Sequence, residues 1–413
     1  MQMILIAIGS AGDVNPFVVI GSHLKSLGHE VLLIANPHFE DKAQRAGLEL
    51  LPLGTEADYQ RAVSNPDVWK ASKGFAAVWK EMPESMKIAY ELIRTYHKGS
   101  KTRLIGSTLA FGGRLAQEKF DIPMATIHLA PACILSCHGT PQSVTHPMPP
   151  WMPSWMKRWF FQALEFAVLD RVSANDFNQY RHQLGLPPTK NIVSKYIHSP
   201  DLVIGAFPEW FASVQEDWPK NSYTTGFPLY TGGMDKPFTP KLEEFIKSGA
   251  PPVVFTAGSA MAFSRRYFER AIEIILRSGR RGILVSSFPD QIPDSLPQEI
   301  IHIEYANFNE LFLRAATVVH HGGIGTSAMA LASGCPQVIV PYAHDQFDNG
   351  MRMQRLGVGK MQSIHADLKE WQATLDDMVA SKVKETCLNY QRKIIDAPPA
   401  ERQIAELVLE KLS

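Results

Sequence analysis

Two histidines, a glycine-rich turn and a cluster of acid and amide side chains stand on one continuous stretch, HHGGIGTSAMALASGCPQVIVPYAHDQFDN, from His320 to Asn349. The stretch reads as strand end, tight turn, helix and second strand. Gly322, Gly323 and Gly325 free the turn backbone for close approach. A helix starting near Ile324 aims its amide N–H groups and positive dipole end at that turn, which suits a phosphate. His320 and His321 close the first strand, so at least one imidazole should face the same spot and donate N–H to a phosphate oxygen. The second strand delivers Asp345, Gln346 and Asn349, a carboxylate and two amides suited to sugar hydroxyls. Together these groups fit successive parts of a nucleoside diphosphate sugar. A glycine turn can also be packing alone, and a strand-end histidine is often structural. Gly323–Ala328 also satisfies the dinucleotide fingerprint G-x-G-x-x-A, with Asp345 near the position of a ribose acid, about 20 residues on. That reading, an NAD-dependent oxidoreductase, leaves the paired histidines and the Gln and Asn unexplained.

A second glycine turn, GSAGDVNPF (9–17), follows the first apolar run. It has no Walker lysine, so it is not a nucleoside-triphosphate loop. Asp13 lies between the turn and the next helix. It fits either a helix cap or a general base whose pKa is raised by burial and which activates a hydroxyl nucleophile.

These sites need strands to carry them. ILIAIG (4–9), EVLLIA (30–35), LIGST (104–108), PMATIHLA (123–130) and DLVIGAF (201–207) are strand candidates. PFVVIGSHLKSLG (16–28) is the first helix, with Pro16 at its favoured first position and Gly28 as its stop. After a Gly-, Pro- and Thr-rich region the alternation restarts with PVVFTAG (252–258), RGILVSS (281–287), IIHIEYA (300–306), TVVHH (317–321) and PQVIVPY (336–342). Strands alternating with helices predict parallel sheets. The expected architecture is α/β, with two Rossmann-like doubly wound domains and ligands outside the carboxyl ends of the strands. A chain of 413 residues also exceeds the size of one core. The apolar face of the last helix is Ile404, Leu407, Val408 and Leu412.

The 41 basic residues balance the 41 acidic ones, which argues against a nucleic-acid footprint. Four cysteines (Cys133, Cys137, Cys335, Cys387) are too few for a disulfide framework and suit a reduced cytosol. No run approaches the about 18 apolar residues of a membrane span. Trp151, Trp155 and Trp159 recur every four residues in WMPSWMKRWFFQALEFAVL (151–169). They read as interior packing, or as an apolar acceptor lobe that also touches a membrane surface. Phe75, Trp79, Met82 and Met86 add adaptable apolar groups. His128 and His138 are placed to line the same lobe or to serve as structural histidines.

Taken together, these motifs resemble family-1 glycosyltransferases of the GT-B fold over nearly the whole chain. GSAGDVNPF resembles the GSxGDVxPF turn of bacterial members, HHGGIGT their HHGGxGT donor signature, and HDQFDN the DQ pair of the plant enzymes. ILIAIGSAGDV, HSP (198–200), FPEWFA (207–212), DWP (217–219), TGFPL (225–229) and AHDQFDN (343–349) resemble the rhamnosyltransferases of rhamnolipid biosynthesis. The resemblance implies two domains about an interdomain cleft: an acceptor domain over 1–225, a linker over 226–250, a nucleotide-sugar domain over 251–395, and a helix over 396–413 crossing back to the first domain. It places His320, His321 and the backbone from Gly322 and Gly323 through Gly325 and Thr326 at the donor diphosphate. Gly12, Gly258 and Ser259 lie near it, Asp345 and Gln346 at the donor sugar, and Tyr305 and Asn307 beside the nucleobase. Asp13 becomes the catalytic base, and Phe75, Trp79, Met82, His128, Trp155 and Trp159 meet the acceptor. The implied reaction is inverting and metal-independent, without a cofactor. Its co-substrate is dTDP-rhamnose, with UDP-glucose as the alternative, and its acceptor is a hydroxy-fatty-acid lipid or a phenol such as a flavonoid. The expected place is the cytoplasm, with the inner membrane surface as a peripheral partner. Plant members carry a histidine in the N-terminal turn and a ribose-binding glutamate where this chain has Ala328. That loss suits a deoxyribose donor. A silent nucleotide-sugar-binding module is a third reading, and Asp13 argues against it.

Overall fold

The computed structural model describes residues 1–413 except 71, 140–147, 150, 231–236, 259–260 and 262–263. The chain forms two compact units, residues 1–230 with 398–413, and residues 231–397.

The first unit is built on strands β1 (Gln2–Ile6), β2 (Glu30–Ala35), β3 (Glu49–Pro52), β4 (Thr102–Ser107), β5 (Met124–His128), β6 (Leu202–Gly205) and β7 (Ser222–Thr224). They run parallel in the order β3-β2-β1-β4-β5-β6-β7, with Ile4 facing Leu32 on one side and Leu104 on the other. The central strands are apolar along their whole length because helices cover both faces of such a sheet; every residue of β1 is buried. The final helix, Ala400–Lys411, packs on helix Ala11–Ser26. It buries Ile404, Ala405 and Val408, with Leu412 buried just beyond its end. Buried Arg103 on β4 donates from Nε to the Leu412 carbonyl.

The second unit repeats the scheme with β8 (Val253–Thr256), β9 (Gly282–Val285), β10 (Ile300–Ile303), β11 (Thr317–His320), β12 (Gln337–Ile339) and β13 (Gly359–Met361). Its parallel order is β10-β9-β8-β11-β12-β13. Each sheet reverses its winding once, between β1 and β4 in the first unit and between β8 and β11 in the second. Doubly wound sheets bind ligands outside the carboxyl ends of the strands at that reversal.

The sequence misplaced some features. The first helix begins at Ala11, capped by Ser10, and carries Pro16 inside it rather than at its start. The region 226–250 contains a helix of its own, Pro240–Lys247. Trp79 and Met82 lie in the core of the first unit, where Trp79 packs edge-on to Phe111 and Phe177. Phe75 packs against the same core from a partly buried position. These side chains build the domain, so the acceptor role expected of Trp79 and Met82 falls away. Trp151, Trp155 and Trp159 show the opposite: all three are exposed, and interior packing is excluded for them.

Candidate functional site

The reversal point of the second sheet is also where the paired histidines lie. His320 ends β11, in register with Thr256 of β8 and Ile339 of β12. Consecutive residues of a strand point to opposite faces, so the two imidazoles meet different surroundings. His320 is fully buried. Its Nδ1 accepts the Gly322 N–H at 3.1 Å, which leaves the proton on Nε2 to donate to Gln337 Oε1 at 2.9 Å. Gln337 passes the chain on, donating to the Ser327 carbonyl at 3.2 Å. Both ring nitrogens of His320 are therefore used inside the protein, and the phosphate role expected of it does not fit. Gln337 was missed by the sequence reading. An amide inside the apolar run PQVIVP was the signal available.

His321 is the imidazole with capacity left. Its Nδ1 is buried without a hydrogen-bond partner. The ring lies between two glycines: a Cβ at Gly258 would stand 2.6 Å from Cε1, and one at Gly323 would stand 2.4 Å from Nε2. Both positions must lack a side chain for the ring to sit there. Burial pulls His320 down to about 4 and His321 to about 3, with His320 adding to the effect on His321. Both imidazoles are neutral at pH 7, so His321 offers an N–H dipole rather than a charge.

The turn itself is fixed from both sides. Gly322 has φ of +93°, the left-handed region that glycine favours. Its carbonyl accepts from Asn349 Nδ2 at 2.9 Å. Gly323 is the N-cap of helix Ile324–Ala332, and no side chain caps that end. The first-turn amides of the helix are thus left to water or to a ligand. A Cβ on Gly325 would meet nothing within 4 Å, so packing does not require glycine there. Thr326 follows on the same first turn.

Asp345 is the N-cap residue of helix Gln346–Arg355 and accepts from Asn349 Nδ2 at 2.7 Å. Burial pushes its carboxyl up to about 6. Gln346 turns its side-chain carbonyl inward, accepting the N–H groups of Tyr342 at 2.7 Å and Ala343 at 3.0 Å. Asn349 is fully buried, so it pins the turn instead of meeting sugar hydroxyls. Tyr305 stands exposed after β10. Asn307 caps helix Phe308–Leu313 by accepting the Asn309 N–H. Ser259 lies outside the described residues. The G-x-G-x-x-A pattern follows β11, whereas a dinucleotide fingerprint belongs after the first strand of its sheet. That position removes the support for an NAD site.

In the first unit, Asp13 stands after β1 at the corresponding reversal. Its Oδ2 accepts the Ser10 N–H at 2.8 Å and the Ser10 hydroxyl at 3.0 Å, one half of a capping box. Gly9, at φ +136°, leaves the space: a Cβ there would lie 2.3 Å from that same oxygen. Gly12 is exposed beside it. Across the reversal, Ser107 Oγ accepts the Ile8 N–H at 3.2 Å. His128, expected at the acceptor, is fully buried, with Nδ1 at 3.0 Å from Thr108 Oγ1 and Nε2 at 2.9 Å from His198 Nδ1. It is a structural histidine, held neutral by burial and by its neighbour His198.

The two histidines of the second unit should separate in the laboratory. His320→Ala removes a buried ring and strands the Gly322 and Gln337 groups, and should cost about 3 kcal/mol or more in urea unfolding of this unit. His321→Ala should cost about 1 kcal/mol or less. Equal losses would mean that both histidines are structural.

Residues 3–137 match the N-terminal domain of glycosyltransferase family 28, and residues 283–391 match the C-terminal domain of erythromycin biosynthesis protein CIII-like proteins. The chain is 28% identical over 391 residues to the O-mycaminosyltylonolide 6-deoxyallosyltransferase of Streptomyces fradiae, across 86% of this chain and 84% of that protein. Its fold is similar to that of the glycotransferase of kitacinnamycin, with a TM-score of 0.76 at 17% identity over 100% of this chain and 99% of that one. It is also similar to the spinosyn rhamnosyltransferase SpnG complexed with thymidine diphosphate, with a TM-score of 0.68 at 16% identity over 98% of this chain and 100% of that one. A glycosyltransferase domain match in the first unit and a glycosyltransferase relative along most of the chain, over two parallel sheets of the order described, make this chain a glycosyltransferase of the GT-B fold.

Proposed function

We propose that the chain is an inverting, metal-independent glycosyltransferase. It moves a 6-deoxysugar, rhamnose in the first instance, from a thymidine diphosphate donor to a hydroxyl of an apolar acceptor, a hydroxy-fatty-acid lipid or a phenol. The observation that carries the donor half is the uncapped start of helix Ile324–Ala332, with open space at Gly325 and unpartnered His321 Nδ1 beside it. A diphosphate is the ligand that such a set of N–H donors suits. Ala328 in place of a ribose-binding acid and the rhamnolipid-like motifs support a deoxyribose nucleotide and a rhamnosyl group. The thymidine diphosphate bound to SpnG and the deoxysugar in the name of the Streptomyces relative point the same way. A UDP-glucose donor is the second reading.

In this reading Asp13 takes the acceptor proton as the hydroxyl attacks the anomeric carbon opposite the nucleotide, so the configuration inverts. The C–O bond to the diphosphate breaks, and the departing anion is held by the His321 N–H and the helix amides, each typically worth a few kcal/mol. Asp345 accepts from hydroxyls of the donor sugar, and the exposed Tyr305 ring stacks on the base.

Thermal-shift titration with dTDP, UDP and NAD in parallel tests the donor. Stabilisation by dTDP over UDP is expected, about 2.7 kcal/mol at a hundredfold excess over Kd. Preference for UDP would select the second donor, and response to NAD alone would overturn the reading. Asp13→Asn keeps an acceptor for the Ser10 cap, so its thermal midpoint and nucleotide affinity should stay near wild type while turnover falls about 10²- to 10⁴-fold. Turnover within a few-fold of wild type would leave Asp13 as the cap alone. The third test is pH. The Asp345 carboxyl, raised to about 6, is neutral below that value and ionised above it. The affinity advantage of dTDP-rhamnose over dTDP should therefore grow as pH rises through about 6, and Asp345→Asn should flatten the profile. A wild-type profile that is already flat would remove Asp345 from the sugar.

A further inference from the structure

Helix Ser154–Leu164 continues through a π turn, Glu165–Leu169, into helix Asp170–Gln183. Trp151, Trp155 and Trp159 are 78%, 70% and 69% exposed, and Phe166 is 82% exposed. Spacing by four keeps Trp155 and Trp159 on one side of the helix, about 6 Å apart along its axis, and Trp151 stands in the turn just before it. Single exposed apolar residues need no explanation, but a run of large aromatics on one face does.

The charges on this segment decide what would cover it. Glu165 is buried, and so is Lys157. Asp170 turns toward the N–H groups of Asn191 and Ile192, which it accepts at 3.0 and 3.2 Å. From Trp151 to Arg171 the charges left exposed are Arg158, between the tryptophans, and Arg171, further along; the exposed carboxylate of Asp176 comes ten residues beyond Phe166. Exposed indoles around an arginine, with no exposed carboxylate from Trp151 to Arg171, match the headgroup layer of an anionic bilayer. There the indole is apolar in body and polar at its N–H, and arginine pairs with lipid phosphate. Among the described residues no helix is long and apolar enough to cross a membrane, so the contact would lie in the plane of the interface.

We infer that the face of Trp151, Trp155, Trp159 and Phe166, with Arg158, docks on the surface of a lipid bilayer carrying anionic headgroups. The inference does not depend on the donor or the acceptor of the transfer reaction.

The test is co-sedimentation of the full chain with vesicles of phosphatidylcholine, with and without phosphatidylglycerol. Wild type should sediment with the phosphatidylglycerol vesicles. Trp155→Ala/Trp159→Ala should need about tenfold more lipid or beyond for half-binding. Arg158→Glu should lose the preference for phosphatidylglycerol. Thermal midpoints near wild type for both variants confirm that the fold is kept, as expected for side chains this exposed. Wild type remaining in the supernatant with both vesicles would overturn the inference, as would a double variant that binds as well as wild type. A wild-type dimer that the double variant converts to monomer, with neither binding vesicles, would assign the face to a second copy of the chain instead.

Discussion

Everything at the candidate donor site depends on one buried polar chain that holds a glycine turn at the end of β11. The turn must leave its outer side open while its inner side lies against the sheet, where an unmatched N–H or C=O is costly. His320 takes the Gly322 N–H and passes a proton bond to Gln337, which reaches the Ser327 carbonyl on the following helix. Asn349 takes the Gly322 carbonyl and, by its other donor contact, ties in Asp345. Strand, turn and both helices are thereby locked to one geometry, and His321 is left on the other side of the strand with its ring between Gly258 and Gly323.

The two sheets solve the same topological problem, yet their reversal points are chemically different. In the first unit, Ser10 and Asp13 close a capping box over the helix that follows β1, so side chains answer the N–H groups of Ser10 and Gly12. In the second unit, the helix that follows β11 has no side-chain cap. An anion thus has an open helix start in the second unit and a carboxylate in its way in the first. This asymmetry supports giving the nucleotide to the second unit and proton transfer to the first, because Asp13 is of use to a hydroxyl but not to a phosphate.

Much of this was legible in the sequence, and the misses have physical causes. The central strands read well because burial on both faces demands continuous aliphatic runs. The strands overlooked were β3, β7 and β13, three or four residues long and each at a sheet edge. An edge needs less apolar sequence, and little signal remains. The first helix was started at Pro16 on a positional preference, whereas the Ser10–Asp13 box overrode it. The histidine pair marked the site, but which ring faces outward depends on Gln337, seventeen residues away, and no local rule supplies that partner. Tryptophan spacing revealed a face of a helix and not the side on which the core lies. Trp79 and Trp155 look alike in sequence and ended in opposite environments because only Trp79 lies over Phe111 and Phe177.

The stretch from His320 to Ala332 contains no lysine or arginine, and its imidazoles are neutral at pH 7. If this turn takes the diphosphate, it does so with oriented dipoles: helix amides, one imidazole N–H and the freed backbone of three glycines. Dipoles stabilise a developing charge only when they are already aimed, since each is weaker than a cation and reorienting them would consume the gain. Residues that never meet the donor therefore set its environment. Gln337 and Asn349 hold the aim, and substitutions that spare His321 but loosen either of them act on the same electrostatics by way of geometry.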